Sequence, residues 1–116
     1  MRIELIAFVT GAALACVIAP SVAQNNVVPV TIDNFVFSPE RVTVKVGTIV
    51  TWTNHDDIPH TVAAKDRGFK SKVMDTDESY SFTFSTPGEY TYFCSLHPHM
   101  TGTIVIAATV GSGASQ

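Results

Sequence analysis

The chain has 116 residues, 46% of them apolar and 15% charged, with a formal net charge of −3 at pH 7. That is one small domain, too apolar for disorder and too acidic to bind nucleic acid by neutralising phosphates. It carries no glycine-rich phosphate loop and no His-Glu-x-x-His motif, which removes the corresponding enzyme classes.

Residues 1–23 read as a secretory signal peptide. Met1-Arg2 is a weakly basic start, residues 5–18 are an uncharged apolar run, Pro20 breaks it, and Ser21-Val22-Ala23 is a small-x-small cleavage site. The run falls short of the ~20 apolar residues of a spanning helix, so no membrane span is expected after cleavage. Ala13-Leu14-Ala15-Cys16 loosely matches a lipid-attachment motif that would anchor the chain through Cys16, but the better cleavage site follows it. The expected divisions are a signal at 1–23, an exported domain at 24–107 and a flexible tail at 108–116. After cleavage Cys94 is the single cysteine. It has no internal disulfide partner, and a free thiol in an oxidising compartment needs protection, which a metal bond provides.

Along the remaining chain the hydrophobic period is two. Val28-x-Val30-x-Ile32 alternates, Ser38-Pro39-Glu40 turns, Val42-x-Val44-x-Val46 alternates, and Gly47-Thr48 turns again. Ile49-Val50-Thr51-Trp52-Thr53 is β-branched and aromatic, and Pro59 marks a turn that puts His60 at the start of a strand. Residues 65–72 do not read as a strand. Lys65, Arg67, Lys70 and Lys72, with only Asp66 opposing, read as a solvated surface loop or as a surface that steers a charged partner. Tyr80-x-Phe82-x-Phe84 alternates, Thr86-Pro87-Gly88-Glu89 turns, and residues 90–93 and 103–106 complete the set. Six to eight short strands, no 3.6-residue period and Gly/Pro turns predict an all-β antiparallel sandwich.

The chemistry lies in Phe93-Cys94-Ser95-Leu96-His97-Pro98-His99-Met100, expected as a loop between the last two strands, with a second imidazole upstream at His60. Cys94-x2-His97-x2-Met100 offers a thiolate, an imidazole and a thioether. A closed zinc site takes four cysteine or histidine ligands, and iron–sulfur clusters take several cysteines. Two imidazoles, one thiolate and a weak methionine form the blue-copper set, suited to both Cu(I) and Cu(II). His55 and His99 have no such support and are expected to be exposed.

Pro59-His60 together with Cys94-x2-His97-Pro98-x-Met100 resembles the type 1 copper cupredoxins, and the short ligand loop is most similar to that of the amicyanins. The resemblance spans residues 30–106. It includes Val46-Gly47-Thr48-Ile49-Val50-Thr51-Trp52 and Pro87-Gly88-Glu89-Tyr90. It implies a cupredoxin-like Greek-key β-sandwich of about eight strands. It also implies one copper ion held by His60, Cys94 and His97 with Met100 axial, and a periplasmic electron carrier rather than an enzyme. Such a carrier acts as a monomer and meets redox partners transiently, a c-type cytochrome or a periplasmic dehydrogenase. The competing reading is copper trafficking or storage, which favours several exposed methionines or cysteines. After residue 23 this chain has only Met74 and Met100. Two departures from amicyanins stand out. Thr61 replaces an asparagine whose side chain ties the ligand loops, so a tie that differs or is lost is expected. Leu96 stands where proline is common, leaving an N–H free to donate to the Cys94 sulfur.

Overall fold

Period-two alternation becomes two packed sheets in the computed structural model, which describes residues 26–108. The expected signal at 1–23 and, past Ala108, the expected tail at 108–116 lie outside the described residues. Eight strands follow in order: β1 (Val27–Asp33), β2 (Val36–Ser38), β3 (Arg41–Lys45), β4 (Ile49–Asn54), β5 (Ala63–Ala64), β6 (Ser79–Thr83), β7 (Gly88–Cys94) and β8 (His97–Ala107). One sheet runs β2-β1-β4-β6 and the other β3-β8-β7-β5. Among the described residues there is no helix.

The sheets are mixed rather than antiparallel. β1 pairs with β4 and β3 with β8 in parallel, while the other neighbours are antiparallel. Alternation states which face of a strand is buried and carries no information about the direction of its neighbour.

Each strand sends its apolar face inward. In β4, Val50, Trp52 and Asn54 are buried while Ile49, Thr51 and Thr53 are half-buried. Trp52 is the centre of the core, stacked on Tyr80 at 5.7 Å and on Phe69 at 5.8 Å, and edge-on to Tyr92 at 5.3 Å. Phe69 comes from the segment that carries no strand pattern. That segment is a solvated loop only in part: Phe69 and Ser71 are buried, while Lys65, Arg67, Lys70 and Lys72 are exposed.

Tyr92 lies across Gly102, its register partner on β8, so closely that any side chain at 102 would meet the phenol ring. Glycine is required there by contact rather than by backbone angle. The Tyr92 hydroxyl and the Trp52 indole N–H are buried without a hydrogen-bond partner, and burial pushes the Tyr92 phenol up to about 12.

One pairing positions the functional region. β5 lies against β7 with Ala63 opposite Phe93 and Ala64 opposite Tyr92. The chain just before β5, which carries His60, is thereby brought beside the end of β7, which carries Cys94.

Candidate metal centre

Cys94 is the last residue of β7 and His97 the first of β8; the two are paired, with Ser95 and Leu96 as the turn between them. The strands therefore run up to the ligand residues, and the expected loop is a tight hairpin. Phe93 pairs with Thr101 whereas Cys94 pairs with His97, so Pro98, His99 and Met100 are extra residues in a bulge. A bulge redirects side chains. Here Met100 is buried while Pro98 and His99 are exposed.

His60 is fully buried, and its backbone is locked by reciprocal bonds with Met74, 3.1 Å from the His60 N–H and 2.9 Å to its carbonyl. The Cys94 Sγ lies 3.7 Å from Nδ1 of His60 and 3.7 Å from Nδ1 of His97. The three donor atoms all fall within 4.8 Å of one another. Metal–nitrogen and metal–sulfur bonds of about 2.1 and 2.3 Å meeting at a tetrahedral angle separate their donors by roughly 3.6 Å. The spacing thus fits one shared ion, and the donor set of one soft thiolate and two imidazoles fits copper.

Two side chains orient these donors, and the sequence alone singled out neither role. Asp56 Oδ2 meets His60 Nε2 at 2.8 Å, leaving Nδ1 as the nitrogen that faces the sulfur. The same carboxylate accepts the Asn34 N–H at 2.6 Å and the Phe35 N–H at 2.9 Å. Burial pushes the Asp56 carboxyl up, but the Phe35 and Asn34 N–H groups and the His60 ring outweigh it, and the group sits below its ordinary value. Asn34 and Phe35 form the two-residue β1–β2 turn with φ of 55° and 63°. Left-handed backbone costs a bulky residue about 1–2 kcal/mol. The clasp of Asp56 on both N–H groups offsets that cost.

The turn presents the Phe35 ring edge-on to His60 at 5.3 Å and to His97 at 4.9 Å, although Phe35 is 42% exposed. The available signals were an acid four residues before His60 and a phenylalanine in a turn position. Neither has meaning until β1, β2 and the His60 segment are brought together.

Thr61 retains the tie between the two ligand segments. Its hydroxyl accepts the Ser95 N–H at 2.7 Å and bonds the Ser95 hydroxyl at 2.8 Å. Its backbone N–H points at the Cys94 sulfur at 3.3 Å, with the hydroxyl at 3.8 Å. Among the described residues these Thr61 groups are, apart from the two imidazole rings, the groups that hydrogen-bond the sulfur. The Leu96 N–H is not one of them. His55 and His99 are exposed as expected, with His55 Nδ1 3.8 Å from an Asp77 carboxylate oxygen.

A family model described as a cupredoxin-like domain matches residues 5–106. The chain is 34% identical over 109 residues to amicyanin-alpha of Methylorubrum extorquens, covering 88% of this chain and 92% of that protein. The crystal structure of amicyanin from Paracoccus versutus superposes with a TM-score of 0.65 at 33% identity, covering 73% of this chain and 85% of that one. A purple cupredoxin from Nitrosopumilus maritimus superposes with a TM-score of 0.67 at 30% identity, covering 69% of this chain and 99% of that one.

Proposed function

The chain belongs to the cupredoxin-like family, as an amicyanin-like type 1 copper protein, and we propose that it is a periplasmic electron carrier with a single copper ion held by His60, Cys94, His97 and, axially, Met100. The observation that carries the reading is the convergence of one buried thiol and two imidazole nitrogens from separate segments. Copper bound there supplies a one-electron Cu(II)/Cu(I) couple.

The protein's own groups suit that task. Asp56 sets the tautomer and orientation of His60. The Thr61 N–H draws electron density from the sulfur, and its hydroxyl braces Ser95 against movement of the ligand turn. Cys94, His60 and Met100 are buried, which keeps water from the donors. His97 is half-buried, and Phe35, Leu96, Pro59 and Pro98 are exposed around the site. This apolar rim is where a partner surface comes nearest the donor atoms. Contact there would be transient, as in small redox interfaces, and a c-type cytochrome or a periplasmic dehydrogenase fits the role. Residues 1–23 would direct export and be removed.

Titration of the metal-free protein with Cu(II) tests the reading. One equivalent should produce an intense visible thiolate-to-copper band and a reversible one-electron couple, both lost in Cys94→Ser. Binding of Cu(I) without a visible band or a reversible couple would favour trafficking or storage and overturn the carrier.

A further inference from the structure

Positive charge on this molecule is concentrated. Lys65, Arg67, Lys70 and Lys72 are four of the six lysines and arginines among the described residues, on a chain of net charge −3. All four are exposed, and among the described residues none is in an ion pair. The acid within the segment is turned back on it, since Asp66 Oδ1 accepts the Gly68 N–H at 2.8 Å.

The cations are also held in place. The Ala64 N–H donates to the Phe69 carbonyl at 2.9 Å, the Arg67 N–H to the Ala64 carbonyl at 3.0 Å, and Ala63 is bridged to Lys70, making a small hairpin. Phe69 anchors it in the core against Trp52, Phe82 and Phe84. Ser71 anchors it again: its hydroxyl accepts the Val62 N–H at 2.9 Å and its N–H donates to the Val62 carbonyl at 2.8 Å. Phe69 and Ser71 go in while Lys70 and Lys72 stay out. An array fixed by its backbone gives up less conformational freedom on binding than a mobile loop would.

The hairpin also borders the metal centre. Lys65, Arg67 and Lys70 line a groove together with Phe93 and Ser95, the residues on either side of Cys94. Its first limb continues from His60, Thr61 and Val62 without a break.

We infer that this hairpin docks an acidic protein: surface carboxylates of a redox partner meet Lys65, Arg67, Lys70 and Lys72, and the partner is seated beside the Cys94 turn. The inference rests on the electron-carrier reading and adds the charge of the partner to it. Clustered charge of one sign attracts the opposite sign at a distance and raises association rates. An anionic membrane fits less well, because surface insertion needs apolar side chains directed outward. Here Phe69 faces the core, and Val73 is the large apolar side chain that residues 65–73 leave exposed. Lysines at the edge strand β5 also deter edge-to-edge pairing. Replacement by glutamate keeps that deterrent and inverts the docking charge, which separates the two roles.

The test uses isotope-labelled, reduced, copper-loaded protein titrated separately with an acidic c-type cytochrome, a basic c-type cytochrome and phosphatidylglycerol vesicles. Each titration is run at about 0.01 M and about 0.15 M salt, where screening lengths are roughly 30 and 8 Å. The acidic cytochrome should shift the amides of residues 65–72 and Ser95, and its affinity should fall about tenfold or more at the higher salt. The triple variant Lys65→Glu, Arg67→Glu, Lys70→Glu should lose about tenfold in affinity at low salt while keeping its dispersed spectrum and, once oxidised to Cu(II), its visible band. Lys72→Glu alone should lose less. Unchanged affinity in the triple variant would overturn the inference. So would shifts centred on Asp75, Asp77 and Glu78 with the basic cytochrome, or binding to vesicles alone. A parent protein without a visible band after oxidation with Cu(II) bound would count against the copper reading instead, and the amide shifts would still decide the docking face.

Discussion

Thr61→Val removes one hydroxyl at nearly constant shape and asks whether the tie between the ligand segments stabilises the fold. Thr61 is 3% exposed, and its Oγ1 makes two bonds with Ser95 at 2.7 and 2.8 Å. A neutral hydrogen bond contributes about 0.5–1.5 kcal/mol net. Ser95 is exposed, so water can replace the lost partner and no orphan penalty is added. The loss should therefore be about 2 kcal/mol, or roughly 8–16 °C in Tm for a domain of this size. Thr61→Ser supplies the contrast. It keeps the hydroxyl and loses one buried methyl, worth about 0.8 kcal/mol. Denaturant unfolding of the metal-free proteins reads both without interference from copper binding. The Thr61 N–H on the sulfur is backbone and survives in both variants, so the visible band should persist in the copper-loaded forms. Equal stability of Thr61→Val and the parent, or a Thr61→Ser variant less stable than Thr61→Val, would refute the reasoning.

Cys94→Ser should abolish the visible band while His99→Ala leaves it intact; bleaching by His99→Ala but not by His97→Ala would show that the wrong histidine had been assigned. Asp56→Ala removes the clasp on Asn34, Phe35 and His60 and should cost about 2–4 kcal/mol: bonds to a charged group are worth about 1.5–3 each, but water replaces the acceptor at the exposed Asn34 and Phe35. The Asp56 carboxyl is held below its ordinary 3.8, so its contribution is complete above the unfolded value and lost as pH falls through the folded one. The stability gap between parent and Asp56→Ala should be constant above about pH 4 and narrow below it, and a gap that widens in acid would contradict the assignment. Gly102→Ala should destabilise by about 1–3 kcal/mol through overpacking against Tyr92, and Tyr92→Phe, which removes the unpartnered hydroxyl, should recover part of that loss in thermal melts of the double variant.

Much of this protein is written in local patterns. Alternation in residues 28–32, 42–46 and 80–84 records which face of each strand is buried, because side chains on a strand alternate whatever lies beside it. Cys94, His97 and Met100 fall within seven residues, so the chemistry they offer could be read before any fold was known. What could not be read locally depends on pairings between distant segments. The parallel β1–β4 and β3–β8 contacts are invisible to alternation. His60 joins the site because β5 docks on β7, and Phe69, which interrupts a run of cations, proves to be their anchor because Trp52 waits opposite. Phe35 and Asp56 have no individual signature. Their roles arise where a left-handed turn between β1 and β2 meets a carboxylate 21 residues away, which in turn holds His60. A sequence carries residue type and local period, whereas a metal site needs donors aimed at one point, and only packing between distant segments sets that aim.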